Sequence, residues 1–272
     1  MAPPSPIPDR SPAWRVLDVL AFAGLWAGGV AAALTWAAGR AVGAGERPRA
    51  LAWACALAGA GTVVVYVIDR LRDLERDRAS APARTAFVAG HRRGLRATAA
   101  AAAIACVPAA SRLPPTAWML CGAVLVVGLL HRRLKGPRTA TIVYVAAAWV
   151  AVVVGLPTSI AARDGVRLLP VGVTAASLGL AIASNAMASD LRGRRFDADA
   201  ARRVRRARGL GLVAAVLPIA LPGLAPLGLV GVGAWGAAAL FRPGERYGLV
   251  VVDGALLAGG LAAALLVRPP IL

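Results

Sequence analysis

Apolar runs of about 17 to 24 residues follow one another along almost the entire chain, and that is the length a helix needs to cross a bilayer. Short links rich in arginine part them. A backbone that crosses hydrocarbon must satisfy its polar groups internally, as a helix does. The chain is 272 residues long and 58% hydrophobic, with a mean hydropathy of +0.67. Water-soluble architectures are thereby disfavoured, and one integral-membrane domain is expected.

The runs fall at about 13–38, 50–68, 95–111, 115–130, 139–160, 168–189 and 247–267, with a longer stretch at 209–241. As a single helix that stretch would measure about 50 Å, against a hydrocarbon core of ~30 Å. Pro222-Gly223 and Pro226 supply a turn within it, so two short spans are expected there. The count is then nine, an all-α nine-helix transmembrane bundle over 13–272 behind a Pro-rich, disordered tail at 1–12. Gly24-x-x-x-Gly28 is a small-residue pattern that lets helices approach closely.

The net charge of +18 does not imply nucleic acid, because the arginines sit in the links between apolar runs. That placement is a topology signal. With the N-terminus in the cytoplasm, the basic links 69–96, 131–138, 190–208 and 242–246 are all cytoplasmic. The opposite links keep only Arg40, Arg47, Arg49, Arg112, Arg163 and Arg167. The expected location is a bacterial cytoplasmic membrane, and the run Arg202–Arg208 is expected to meet lipid headgroups. Cys55, Cys106 and Cys121 lie within apolar runs without metal-ligand spacing and read as small buried thiols.

Two acidic clusters interrupt this basic background. Asp69, Asp73 and Asp77 follow the second run at i, i+4 and i+8, a spacing that aligns them on one helical face. Asp190, Asp197 and Asp199 follow the sixth run. Like charges at i,i+4 repel, and a divalent cation is one reason to keep such a row. Mg²⁺ prefers oxygen ligands and binds through carboxylates together with substrate phosphate. The alternative is ion pairing: Arg72 is i+3 from Asp69, Arg76 is i+3 from Asp73, and Arg194 is i+4 from Asp190. Both clusters fall on the cytoplasmic side of the topology above. Two copies of a four-helix unit would place one cluster after the second run and another after the sixth, but the halves share too little sequence to establish a repeat.

These residues carry a resemblance to the UbiA superfamily of intramembrane prenyltransferases, which has nine transmembrane helices and Asp-rich motifs after helices two and six. The first family motif reads N-D-x-x-D-x-x-x-D. Asp73 and Asp77 match its second half, Asp69 stands at the Asn and Arg70 at the first Asp. Pro82-Ala-Arg84 resembles the family's P-x-R-P, and the segment around Lys135 resembles the basic link after helix four. Asp190 and Asp197 match the ends of the second motif, D-x-x-D-x-x-x-D, with Gly193 at its middle Asp.

The resemblance implies a Mg²⁺-dependent prenyltransferase. Mg²⁺ would be held by Asp69, Asp73, Asp77, Asp190 and Asp197, the last four being the catalytic acids. Arg84 and Lys135 would assist in gripping the diphosphate. The partners implied are a prenyl diphosphate and an aromatic or other lipophilic acceptor. The alternative is a catalytically degenerate relative that binds an isoprenoid or lipid without turnover. A transporter would need ionisable groups in mid-span, and the runs are almost free of charge.

Overall fold

The computed structural model describes residues 12–78, 81–131, 138–162, 167–191, 196–244 and 247–268, and these form helices joined by turns. Most of the expected tail, together with Lys135, Gly193 and Arg194, lies outside the described residues. The elements are α1 (Pro12–Phe22), α2 (Leu25–Ala41), α3 (Pro48–Arg72), α4 (Pro82–Gly90), α5 (Arg92–Ser111), α6 (Pro115–His131), α7 (Arg138–Val153) and α8 (Gly155–Ala161). They continue with α9 (Leu168–Ser189), α10 (Ala198–Val216), α11 (Gly228–Ala239) and α12 (Asp253–Leu266). Short 3-10 turns precede α3 and connect α10 to α11, and a π-helical turn, Tyr247–Val252, leads into α12.

The expectation of nine membrane-spanning helices is overturned. Among the described residues, four helical segments are long and apolar enough to cross a membrane: Pro48–Arg72, Arg92–Ser111, Ala140–Ala161 and Leu168–Ser189. A fifth is reached only if α1 and α2, bent by 68° at their junction, are taken together. The reason is that an apolar run is not a helix. The first run breaks at Gly24, whose φ of 77° is a left-handed conformation that glycine adopts without strain. The stretch 209–241 yields α11, whose 12 residues reach only about 18 Å. α10 starts well upstream of that stretch, inside the basic segment, and so carries five arginines. The apolar parts of α6 and α12 are also shorter than a full span.

The bundle nonetheless turns an apolar exterior outward. Ile104, Met119, Val143, Leu168 and Leu265 are each more than 60% exposed. Even the spanning helices bury only about a third of their most apolar stretch or less inside the bundle. Contiguous exposed apolar surface on this scale suits lipid as the surrounding solvent. The chain is an all-α integral membrane protein.

α2 is the central helix, packed on α3, α7, α8, α9 and α12. Its main core joins Leu34 and Val30 to Val153 of α7, Leu178 and Ile182 of α9, Val230 of α11 and Leu256 of α12. Gly28 of the expected small-residue pattern does face a neighbour. A Cβ there would stand 2.9 Å from the carbonyl oxygen of Gly59 on α3, so two glycines permit this crossing. Gly24, the other half of the pattern, is the hinge. α10 lies against α9, where Ser177 Oγ donates to Ala214 O at 2.8 Å and Ser184 Oγ donates to Ala207 O at 2.7 Å.

Candidate functional site

The first acidic cluster does not continue α3 as one exposed face. α3 ends at Arg72, and Asp73 is its C-cap. Backbone bonds from Asp73 N to Asp69 O, Asp77 N to Asp73 O and Ala81 N to Asp77 O carry the chain onward in turns. Asp69 is exposed, Asp73 is buried, and Asp77 is half-buried. Arg76 pairs with Asp73 and reaches within 3.8 Å of Asp77. Arg84, on the first turn of α4, donates to Asp77 Oδ2 at 2.7 Å. The Pro82-Ala-Arg84 segment is therefore not a loop. Proline starts a helix, where its missing N–H costs nothing, and Arg84 points back onto the turn.

Arg70, which stands where the family resemblance would put an acid, has a structural occupation. It is buried, and its Nη1 donates to Ala21 O at 2.7 Å and Phe22 O at 2.5 Å. These are carbonyls at the end of α1, where intrahelical partners run out. The guanidinium also lies over the Tyr66 ring at 5.5 Å. Phe22 packs tilted against Phe87 of α4, with ring centroids 5.4 Å apart. Arg70 thus pins the α1–α2 bend to the end of α3, and α4 closes over it.

In the second cluster Asp190 is the C-cap of α9 and accepts from Arg203 Nη1 at 3.0 Å. The same Arg203 donates through Nε to Asp199 at 2.8 Å, bridging α9 to α10. Removal from water alone would push the Asp199 carboxyl upward. The charges and hydrogen bonds of Arg203, joined by those of Arg202, outweigh this and hold it below the usual carboxylate range. Asp197 caps α10, accepting from Ala200 N at 2.8 Å. The expected pairing of Asp190 with Arg194 lies outside the described residues; Arg203, thirteen residues on, pairs with Asp190.

Carboxylate oxygens are the donors that Mg²⁺ takes, and the two clusters supply them at the ends of α3 and α9. Among the described residues no three His, Cys, Asp or Glu side chains gather to hold a metal. Asp73, Asp77 and Asp190 each face an arginine, and Asp197 is engaged at a helix cap.

Between the two acidic ends lies a cavity of about 240 Å³. Tyr66, one turn before Asp69, and Ser189, next to Asp190, both line it, so the ends of α3 and α9 converge on one space. Tyr66 and Trp149 of α7 meet edge to face at 6.4 Å and form an aromatic wall. Asn185 of α9 and Asp253 of α12 add a polar patch. Sequence reasoning missed both, although the signal was present. Asn185 is the sole side-chain amide in the chain, and Asp253 is the acid inside the last apolar run.

Fold and site together define an all-α membrane protein with an amphiphile-sized cavity below two Asp–Arg clusters. The fold is similar to the solved structure of a digeranylgeranylglyceryl phosphate synthase in membranes, with a TM-score of 0.50 and 12% identity over 92% of this chain and 99% of that one. At that identity the likeness is one of fold. No protein-family model matches the chain, and no curated protein matches it.

Proposed function

We propose that this protein transfers a prenyl group from an isoprenyl diphosphate to a lipophilic acceptor inside the membrane. The observation that carries the reading is the cavity on which the ends of α3 and α9 converge, with an acidic and arginine-rich cluster immediately beyond each end. The similar fold is that of a digeranylgeranylglyceryl phosphate synthase, which supports the same chemistry.

A diphosphate brings several negative charges to this end of the bundle. Arg76, Arg84 and Arg203 are at hand, and guanidinium–phosphate pairs are strong and bidentate. Lys135 is proposed to join them. The isoprenyl tail lies among apolar helices. As the allylic C–O bond ionises, negative charge grows on the leaving diphosphate, and these cations stabilise it. The apolar cavity walls keep water from the carbocation. Dependence on Mg²⁺, with Asp69, Asp73, Asp77, Asp190 and Asp197 as its proposed ligands, is one arm of the assay.

The engagement of Asp73, Asp77 and Asp190 by arginine favours a second reading, an isoprenoid-binding protein without turnover. Incubation of the purified protein in lipid nanodiscs with radiolabelled prenyl diphosphates and a lipid extract, with and without Mg²⁺, separates the two. Labelled lipid that disappears in Asp73→Asn supports transfer. Diphosphate binding without labelled lipid selects the second reading. Absence of both overturns the proposal.

A further inference from the structure

The end of the bundle remote from the acidic clusters carries a second hollow. α9 is about 33 Å long at 1.5 Å per residue, so Leu168 and Asp190 lie on opposite sides of a hydrocarbon core. Near the Leu168 end a groove of about 480 Å³ opens between α6, α7, α8 and the start of α9. Leu120 of α6, Val150 of α7 and Val171 of α9 give it a hydrocarbon wall. The hydroxyls on α8 leave that wall apolar. Ser159 Oγ donates to Leu156 O of its own helix at 2.6 Å, and Thr158 Oγ1 is buried. Gly155, at the break between α7 and α8, lets α6 close one side. A Cβ there would stand 2.6 Å from Leu120 Cδ2.

Two arginines stand just beyond this groove. Trp118 Nε1 donates to Ala110 O at 2.9 Å and ties the start of α6 to the end of α5. Arg112, the C-cap of α5, therefore sits just ahead of Thr116, which lines the groove. Arg167 is the N-cap of α9, and its carbonyl accepts from Val171 N at 3.3 Å, one turn into the groove wall. Both side chains are exposed. A cation at a helix N-terminus opposes the helix dipole, so Arg167 destabilises α9 unless an anion joins it. Phosphate is such an anion. It is favoured at a helix N-terminus and taken bidentately by guanidinium.

We propose that this groove holds one acyl chain of an anionic phospholipid, with Arg112 and Arg167 taking the phosphodiester at its mouth. The chain lies along Leu120, Val150 and Val171, and the headgroup stands outside at the level of the guanidiniums. A net negative headgroup is preferred over a zwitterionic one, because a choline ammonium would bring a like charge to the two arginines. The site lies at the other end of the bundle from the cavity of the prenyl-transfer reading and does not depend on it.

The test uses the full chain in phosphatidylcholine nanodiscs doped with phosphatidylglycerol that carries a diazirine in one acyl chain. Phosphatidylcholine with the same diazirine is the comparison. After irradiation, labelled peptides are mapped by mass spectrometry. Phosphatidylglycerol is expected to label α6, α7 and α8 around the groove about tenfold more than phosphatidylcholine does, the scale of two arginines at the headgroup level. Replacing both surface cations, Arg112→Gln with Arg167→Gln, should bring the two lipids level. Ala151→Phe, which fills the groove, should reduce labelling there while leaving the exposed face of α5 at Ile104 and Val107 unchanged. Should Ala151→Phe not fold, the wild-type map and the arginine variant decide. Equal labelling by the two lipids overturns the proposal. So does label spread evenly over the apolar exterior, or a double arginine variant that keeps the wild-type preference. A groove closed to both lipids in a chain that is dimeric by mass photometry assigns it to a second copy and also overturns the proposal.

Discussion

Replacing Arg70 with Met tests whether the cation at the family's acidic position is a structural clamp. Met keeps an apolar stem of similar reach and removes the guanidinium. Two hydrogen bonds are lost, to Ala21 O at 2.7 Å and Phe22 O at 2.5 Å, together with the stacking on Tyr66. Hydrogen bonds from a charged donor are worth about 1.5–3 kcal/mol each, and a cation–π contact about 0.5–1 kcal/mol. Arg70 is 9% exposed, so water recovers only part of this. The net cost of freeing α1 is then about 3 kcal/mol, taking the lower end for each bond. At ~1.4 kcal/mol per tenfold, the opening equilibrium shifts by a factor of about 150. Hydrogen exchange in nanodiscs reads this directly. Amides at the end of α1 and in α4, joined through Phe22 and Phe87, should exchange about a hundredfold faster. Amides of α9 and α10 should not change. Exchange at α1 within about threefold of wild type would refute the clamp. Arg70→Asp, which supplies the acid of the resembled motif, sets a carboxylate against two carbonyl oxygens. It should loosen α1 further and confer no gain in Mg²⁺ binding by titration calorimetry.

Three further outcomes are expected. Arg84→Ala removes the 2.7 Å ion pair with Asp77, and it should weaken binding of a prenyl diphosphate analogue by about tenfold or more, measured by calorimetry. Ser177→Ala and Ser184→Ala each remove a buried hydroxyl donor between α9 and α10 and should cost about 1 kcal/mol apiece in denaturant unfolding, additively because the sites share no partner; a double variant within about 0.5 kcal/mol of wild type would count against this packing. Asp199 has its folded value depressed by Arg203 and Arg202, against the upward push of its desolvation. The stability it contributes is present above the unfolded value of about 4 and is lost as pH falls through the lower folded value. Carboxyl carbon NMR should show Asp199 titrating below a model carboxylate in the wild-type chain, and at the ordinary position in Arg203→Ala.

Hydropathy and arginine placement were enough to establish from sequence that this chain is helical and lives in a membrane, because those properties are sums over long runs. Several boundaries were legible too. Leu168–Ser189 is a helix as read, and Leu113-Pro-Pro115 separates α5 from α6. Arg76 as the partner of Asp73 followed from its i+3 spacing. Tertiary structure decided what local pattern does not encode. It bent the first run at Gly24, because Arg70, forty-eight residues away, rewards the broken helix end with a donor. It paired Asp190 with Arg203, thirteen residues on, because α10 folds back on α9. It brought Asn185 within reach of Asp253, sixty-eight residues apart, and so set a polar pair in the cavity wall that no spacing announces. Local order is written in near neighbours, but which side chains meet across a bundle depends on where every helix ends.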